Sequence, residues 1–536
     1  MIENVPATPV STDERESTQH IDIAEKKKTV ASKRRTVWSV GAFRIRFNLA
    51  SFLPGSGVTS RPFGIAEATI LFMMAFVGSR ALGVVRQTIF NALFGTGAEA
   101  NAFYAAFRLP DTLFNLIAGG ALTYALIPIF ISYEKDRGQS EAWRLVSLVF
   151  NLLLVTLTAL ILLGEFLSPT FVSRFLVPGY PPAEQELVTG LTRIMLVQPL
   201  ILGLGTIASA VLSSKHRFFL PAFSIVVYNF GMIGGLLVSL KVPGVGIYGP
   251  TYGVLAAAFL QVLVQVPGLK GEGLRYSFYW NLRYPGLRQV LGLLGPNVLA
   301  VGISSVAYIF DVTYASYLSD QASLSALHNA QLLFEFPVVL FGQAVAQAAL
   351  PRMTMKAAAG QYVHLRQLIF KVIGGSVLLC VPGVVLLCVL GKPTIHILFQ
   401  HGAFTRHSTD LTTLALIGYA VGLPGSVAGE LLGRGFYALK DARPPLLSSI
   451  LTLVARFTLI LLFLKIMAHS TNIILAIPLA ASCAVTISAI FLSLLLLLRL
   501  RGKVKLDRGM QRLLAQRHGH AVGRGNLAPL PSGTDQ

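Results

Sequence analysis

The stretch LVSLVFNLLLVTLTALILL, residues Leu145–Leu163, decides the fold class of this chain. It holds no charged residue, and its length is close to the roughly twenty apolar residues that a helix needs to cross a bilayer. The apolar residues do not alternate as in a barrel strand, and only helices or closed barrels satisfy their backbone groups in hydrocarbon. The stretch therefore predicts a membrane-spanning helix.

Comparable stretches recur between residues 64 and 498, and from them we predict twelve transmembrane helices. The composition agrees, since 54% of the residues are hydrophobic and only 13% are charged, about half the charged fraction of a typical soluble domain. The predicted fold class is an all-α polytopic membrane protein, and a water-soluble globule is excluded. The helices are centred near residues 77, 116, 155, 199, 229, 257, 302, 340, 380, 422, 454 and 485.

Three pairs of landmarks repeat at nearly constant spacing, which indicates an internal duplication. The pairs are Pro128 with Pro351, Pro169 with Pro393 and Lys215 with Lys440, at offsets of 223, 224 and 225 residues. Two parallel six-helix lobes around a central cavity are therefore expected. The predicted divisions are a polar basic N-terminal tail over residues 1–63, lobes over 64–268 and 287–498, a linker over 269–286, and a basic C-terminal tail over 499–536.

The net charge of +20 suggests nucleic acid as a partner, but its distribution favours a membrane surface. Half of it lies in the two tails, in basic stretches such as those at residues 26–28 and 499–505. Such stretches attract anionic headgroups, so we expect the tails to bind anionic membrane lipid and no nucleic acid. The predicted loops carry more basic residues on one side, which by the positive-inside rule places both termini in the cytoplasm. No signal peptide is evident, and the first spanning helix is expected to direct insertion.

Motifs of soluble enzymes are missing from the sequence, which has no Walker loop, no His-Glu-x-x-His and no nucleophile elbow. Cys380, Cys388 and Cys483 lie in apolar runs without metal-ligand spacing, so they are expected to pack as small hydrophobes. We therefore predict neither an enzyme nor a bound metal or cofactor, while an integral-membrane transferase stays open as an alternative.

Two arginines lie within the first predicted helix, where a charged group is costly enough to indicate function. Arg80 and Arg86 are about 120° apart around a helix and about 9 Å apart along it, so both can face one cavity. Guanidinium groups suit phosphate oxygens, and we hypothesise that these two bind a phosphate-bearing substrate. Alternatively, they snorkel to headgroups or pair with an acid such as Asp311 or Glu335.

Prolines interrupt the second predicted helix of each half. A proline inside a helix frees a backbone carbonyl, and paired broken helices at matching places indicate a substrate site, although simple packing kinks are the alternative. The expected hinge and cavity residues are Pro110, Asp111, Gly119, Gly120, Glu335 and Pro337, with Arg108 as a further substrate-binding arginine.

Acidic residues in the later helices suggest a second kind of site. Asp311, Glu335 and Glu430 are candidates for binding a coupling cation. Structural ion pairs with arginines such as Arg434 and Arg456 are the alternative.

Six short motifs follow one another along the chain. They are S-R-x-L-G-x-x-R from Ser79, F-G-x-G from Phe94, A-F-x-x-A-F-R-L-P from Ala102, E-F-P from Glu335, F-Q-x-G-x-F-T from Phe399 and G-F-Y-A-L-x-D from Gly435. These motifs resemble those of the MviN/MurJ family of lipid II flippases, which belongs to a superfamily of multidrug, oligosaccharidyl-lipid and polysaccharide exporters. The similarity runs in order over roughly residues 64–498.

The resemblance implies a flippase that moves undecaprenyl-pyrophosphate-linked peptidoglycan precursor, lipid II, or a related lipid-linked oligosaccharide by alternating access across the bacterial inner membrane. It implies that Arg80 and Arg86, which match the family's first-helix arginines, bind the pyrophosphate. Transport would be driven by the membrane potential or by a coupled monovalent cation, and cell-wall synthesis proteins would be candidate partners.

The chain departs from the family's pattern at several positions. Asn101 stands where the family usually has an acid, Phe114 or Asn115 where it often has an arginine, and Leu332 where it has a cavity arginine. The family also commonly has two further helices, whereas this chain becomes polar and basic after Leu500. Two alternatives therefore stay open: a cation-coupled multidrug antiporter with an acidic cavity, and a non-transporting paralogue that serves envelope assembly.

Overall fold

The computed structural model describes residues 65–117, 120–320 and 322–523 of the chain, and all regular structure in these ranges is helical. The predicted N-terminal tail and Gly119 lie outside these ranges. The helices are α1 Ile65–Phe94, α2 Ala98–Ile117, α3 Gly120–Arg137, α4 Gln139–Phe171, α5 Pro182–Met195, α6 Gln198–Ser214, α7 Phe219–Lys241, α8 Tyr248–Leu263, α9 Val266–Gly271, α10 Pro285–Ser316, α11 Ser323–Pro337, α12 Ala344–Ala358, α13 Tyr362–Phe399, α14 Arg406–Ala420, α15 Leu423–Ala438, α16 Arg443–Ile466 and α17 Ala476–Gly523.

Short helical turns of other types join some of these elements. A π-helical turn, Val172–Leu176, extends α4, another, Val338–Gln343, connects α11 to α12, and a 3₁₀ turn, Ile473–Leu475, precedes α17. Among the described residues, eight helical stretches are long and apolar enough to cross a membrane, or nine if α14 and α15, which meet at a bend of 47°, count as one span. The other predicted centres, near residues 77, 116 and 302, lie in α1, α2 and α10. The all-helical membrane fold is confirmed.

Local sequence signals explain where many helices begin. Proline is favoured in the first helical turn because its missing N–H would have no partner there. Thr405 begins α14 differently, since its hydroxyl accepts from the Ser408 amide while the Ser408 side chain accepts from the Thr405 amide. The helices with proline in the first two positions are α5, α6, α9, α10, α15 and α16.

A π-helical turn interrupts the second span of the second half. There α11 ends at Pro337, and the turn Val338–Gln343 follows it. In the first half, Pro110 lies inside α2 rather than at its end. Because π-helical turns locally disturb the helical hydrogen-bond ladder, the turn after Pro337 suits a bend between two rigid segments.

Contacts within each half dominate the packing, and a few helices connect the halves. In the first half, α7 packs on α1 and α8, and α3 on α6, while in the second half α17 packs on α15 and α16. Between the halves, α10 contacts α2 and α3, α11 contacts α2, and α13 contacts α1. The two-lobed arrangement positions α1 and α2 at the interface, where the candidate arginines lie.

The last helix continues further than the sequence suggests. The predicted span ends near residue 498, but α17 runs without a break to Gly523, well into the predicted C-terminal tail. Most residues of this extension are of types that favour helices, namely leucine, alanine, glutamine, lysine and arginine. The basic tail therefore begins as a continuation of a spanning helix.

Candidate functional site

Buried amide side chains join the two halves at the end where α1 leads into α2. The Gln87 Nε2 donates to Asn329 Oδ1 at 2.9 Å, and the Asn91 Nδ2 donates to the same oxygen at 2.9 Å. Nearby, Asn101 Oδ1 accepts from the Ser325 amide at 2.8 Å. All five residues are buried, so buried hydrogen bonds hold the halves together at this end. Asn101, where the family usually has an acid, takes part in this contact.

The backbones of the two halves also touch here. The Ala403 amide donates to the Ala92 carbonyl oxygen at 2.9 Å. Gly402 has a φ of +57°, and a Cβ added there would lie 2.2 Å from the same carbonyl oxygen. A Cβ on Gly95, at a φ of +59°, would lie 2.4 Å from the Ala403 carbonyl oxygen. Only glycine fits at both positions.

We therefore expect Gly402→Val to prevent this end from closing. Gly138→Val is the matched control, because Gly138 also has a positive φ, +86°, but no heavy atom within 4 Å of an added Cβ. Pulsed electron paramagnetic resonance between nitroxides at Gly97 and Arg406, which are exposed on the two halves, measures the separation in a background without native cysteines. The distance should lengthen in Gly402→Val and stay unchanged in Gly138→Val. Equal distances in both variants would show that this contact does not control closure.

A cavity of about 350 Å³ lies between the halves, away from the closed end. Five helices of the first half, α1, α2, α6, α7 and α8, form most of its wall, and α11 of the second half forms the rest. The lining residues are Ser79, Arg80, Gly83, Val84, Arg86, Asp111, Phe114, Gln198, Leu202, Ile225, Tyr228, Asn229, Gln261, Leu332 and Phe336. The volume is in the range of ligand pockets.

Arg80 lines the cavity and bridges the halves. Its Nη1 lies 3.3 Å from the Oε2 of Glu335 on α11, and the two side chains are 49% and 43% exposed. An ion pair this accessible to water is weak and exchanges easily for another anion. The pairing alternative for Arg80 is therefore present in the structure, alongside its place in the cavity wall.

Arg86 lines the same cavity but, within the described part of the chain, has no partner. No described residue makes an ion pair or hydrogen bond with its guanidinium, and the side chain is partly exposed. A guanidinium presents five donors in a planar fork that matches phosphate oxygens. Arg86 is thus the cation of this cavity that is free to bind an anionic ligand.

Arg108 lies outside the cavity wall. Its guanidinium carbon is 5.5 Å from the centre of the Tyr308 ring, and that of Arg456 is 5.6 Å from the same ring. The structure therefore places Arg80 and Arg86 in the wall of one cavity, whereas Arg108 contacts Tyr308 on α10, and its part in substrate binding stays a prediction. Of the expected hinge residues, Asp111 lines the cavity and Gly120 begins α3.

The three acids that were candidates for a cation site do not converge. Asp311 on α10 accepts from Arg456 on α16, both of them buried, while Glu335 pairs with Arg80. Glu430 lies 4.0 Å from Arg434 on its own helix. Across the described ranges no three histidine, cysteine or acidic residues cluster as a metal site would require. Each acid faces an arginine, which is the ion-pair alternative expected from the sequence, and a cation site at these residues stays a prediction.

Amide and hydroxyl side chains in the cavity wall were not among the site residues predicted from the sequence. The Asn229 Nδ2 donates to Ser79 Oγ at 2.8 Å, and the Gln198 Nε2 donates to Tyr228 Oη at 3.0 Å. The Gln198 Oε1 is buried without a partner among the described residues. They could have been predicted, because Gln198, Asn229 and Gln261 are uncharged polar residues inside apolar runs, and such residues indicate a functional position in a membrane helix.

Comparison with known proteins gives consistent matches. The family model described as "Lipid II flippase MurJ" matches residues 90–518. A lipid II flippase MurJ of Burkholderia cenocepacia is 30% identical over 435 residues, which cover 79% of this chain and 81% of that protein. A probable lipid II flippase MurJ of Rhizobium meliloti is 28% identical over 402 residues, covering 74% of this chain and 75% of the relative.

Solved structures show the same architecture. A lipid II flippase MurJ in an inward closed conformation superposes with a TM-score of 0.68 at 25% identity, over 79% of this chain and 86% of that one. A MATE multidrug transporter in an inward-facing conformation superposes with a TM-score of 0.69 at 14% identity, over 81% and 99% of the two chains. The second likeness shows the fold alone.

Proposed function

The chain belongs to the MurJ family of lipid II flippases, and from this membership we propose that it translocates lipid II or a related polyprenyl-pyrophosphate-linked glycan. It is a multi-pass membrane protein, and we assign it to the bacterial inner membrane with both termini in the cytoplasm. The observation that carries the proposal is the cavity between the halves, in whose wall Arg86 has no partner among the described residues. The task is transport, with no chemical conversion of the substrate.

The cavity supplies what such a substrate needs. A pyrophosphate is costly to move through hydrocarbon, and Arg86 offers it a bidentate cation within a polar wall of amides and hydroxyls. Arg80 can join when phosphate oxygens replace Glu335. The glycan then occupies the space between the halves while the polyprenyl tail stays in lipid.

Alternating access follows from where the halves touch. With the N-terminus in the cytoplasm, the closed end at Gln87 and Asn329 faces the periplasm, and the cavity receives substrate from the cytoplasm. Release requires these contacts to open while the cytoplasmic ends of the halves approach. Outward movement of a negative head is favoured by about 2.3 kcal/mol per charge per 100 mV, so the membrane potential can drive transport.

The charge of the cavity distinguishes this function from multidrug antiport. A cavity for cationic drugs would be acidic, whereas this wall carries Arg80 and Arg86 against the single acid Asp111. Basic residues of the two tails would bind anionic lipid of the inner leaflet, and cell-wall synthesis proteins would supply and receive the substrate.

Reconstitution tests the proposal directly. The purified chain in proteoliposomes should translocate a fluorescent polyprenyl-pyrophosphate-linked glycan and leave a phosphatidylethanolamine carrying the same fluorophore in place. It should also restore growth to cells depleted of their own flippase. Failure of both assays with correctly folded protein would favour the non-transporting paralogue.

Glu335→Gln should tighten binding of the pyrophosphate. Without its carboxylate partner Arg80 is free for phosphate, and because the pair is half exposed the gain should be about two- to fivefold in Kd. Isothermal titration with a short-chain prenyl pyrophosphate measures it. Glu430→Gln, which removes an acid from the pair with Arg434 on α15, is the control and should leave Kd unchanged. Unchanged or weaker binding in Glu335→Gln would show that Arg80 does not contact the pyrophosphate.

A further inference from the structure

The linker between the halves exposes apolar side chains at every second position. Residues 272–284 run between α9 and α10 without helical structure. Phe278 is 81% exposed, and the others are between 44% and 57% exposed. The exposed residues are Leu274, Tyr276, Phe278, Trp280 and Leu282. In an extended segment, residues two positions apart lie on the same face, so these apolar and aromatic residues share one face of the linker.

Hydrogen bonds hold this linker against α4. The Ser277 amide donates to Ser147 Oγ at 3.2 Å, and the Asn151 Nδ2 donates to the Tyr279 carbonyl oxygen at 3.1 Å. The Tyr276 hydroxyl donates to Asn151 Oδ1 at 2.8 Å. The linker is therefore fixed to one face of a spanning helix rather than projecting into water.

The contacts with α4 define the depth of the linker. Arg144 and Glu165 are twenty-one residues apart on α4, a rise of about 31 Å, which matches the hydrocarbon thickness of a bilayer. Ser147 and Asn151 lie about 4 Å and about 10 Å beyond Arg144 along the helix. With Arg144 at the headgroup level, the linker thus lies within about the outer third of the hydrocarbon layer, next to the headgroups.

The charges around the exposed residues are positive. Arg275 and Arg283 flank the aromatic residues, and Lys270 and Arg288 stand at the two ends of the linker. None of these four has an ion-pair partner in the part of the chain that is described. The one acid of the linker, Glu272, is taken by Arg217 at 2.7 Å.

We propose that this linker is an interfacial lipid-binding segment in which Phe278, Trp280 and Leu282 enter the bilayer boundary and Arg275 and Arg283 bind anionic headgroups. Tyrosine and tryptophan favour this boundary because one end of each ring system is apolar and the other polar. Free arginines nearby match anionic lipid, and the helix levels place the segment at membrane depth. The site is distinct from the basic tails and independent of the transport function.

Trp280 reports on its own surroundings. The chain has three tryptophans, so the emission of Trp280 is obtained by subtracting the fluorescence of the Trp280→Phe variant from that of the wild-type chain, both in proteoliposomes. We expect this component to be quenched more strongly by lipid labelled with doxyl at carbon 5 than at carbon 12, and weakly by aqueous iodide. Strong iodide quenching without doxyl quenching would overturn the proposal and indicate a surface for a soluble partner.

Energy transfer from Trp280 to dansyl lipids tests the headgroup preference. With dansyl-phosphatidylglycerol and dansyl-phosphatidylcholine compared at equal density, the anionic probe should be enriched about fivefold per arginine near the linker. The double variant Arg275→Gln/Arg283→Gln should abolish the preference, and Arg352→Gln, an exposed arginine on α12, should retain it. Equal transfer to both probes in the wild-type chain would overturn the assignment of anionic lipid.

Discussion

Replacing Arg86 by glutamine is expected to slow translocation of a polyprenyl-pyrophosphate-linked glycan by about 100-fold. Charge-assisted hydrogen bonds contribute about 1.5–3 kcal/mol each, and a bidentate guanidinium makes two of them, while the glutamine amide can still donate one neutral bond. The net loss is therefore about 3 kcal/mol, which corresponds to about 100-fold. Arg86 lines the cavity and makes no ion pair or hydrogen bond with a described residue, so the phosphate displaces no such partner. Initial rates of fluorescent substrate movement in proteoliposomes measure the effect.

Two further variants separate binding from folding. Arg86→Lys keeps the charge but not the planar fork, so its rate should fall between those of the wild type and Arg86→Gln. Arg352→Gln removes an exposed arginine outside the cavity and should transport at the wild-type rate. If Arg86→Gln, with the melting temperature of the wild type, transports normally, Arg86 does not hold the pyrophosphate.

Arg456→Met should destabilise the second half by about 3–5 kcal/mol, because it leaves the Asp311 carboxylate buried without its cation. The pair connects α10 to α16 through Asp311 Oδ2, and Asp311 Oδ1 is buried without a hydrogen-bond partner among the described groups. Thermal unfolding of the purified variant in detergent, followed by a thiol-reactive dye, measures the loss.

The double variant Asp311→Leu/Arg456→Met distinguishes two causes of instability, the unpaired buried carboxylate and the lost packing of the arginine side chain. It removes both charges, so most of the stability should return. Arg434→Met, which disrupts a more exposed pair with Glu430, should cost under about 1 kcal/mol. A double variant as unstable as Arg456→Met would show that packing, and not the unpaired carboxylate, causes the loss.

The sequence predicted the fold class and the shared cavity of Arg80 and Arg86 because both depend on local regularities. Apolar length sets a membrane helix, and a fixed rotation per residue sets which side chains can face one space. The pairing of Asp311 with Arg456 connects residues 145 positions apart, and nothing in either local pattern selects that partner. Likewise, the separation of Arg108 from the cavity depends on how α2 rotates against α10.

The two arginines alone suggested a phosphate-bearing substrate, and the resemblance added that this substrate is a polyprenyl-linked glycan. The positions at which the chain departs from the family's pattern lie in different parts of the structure. Asn101 joins the buried contact between the halves, and Leu332 lies in the cavity wall, so this wall is less cationic than the family pattern. The polar wall residues could have been predicted by asking which amides interrupt apolar runs. Their hydrogen-bond partners could not, since these are on other helices.

Thirteen of the fifteen residues around the cavity come from the first half of the chain and only two from the second. The two halves therefore contribute unequally to the cavity, since the first half forms most of its wall and the second half only the part supplied by α11. A chimaera of two relatives joined at the linker should therefore take its ligand preference mainly from the protein that supplies the N-terminal half, because that half supplies most of the cavity wall.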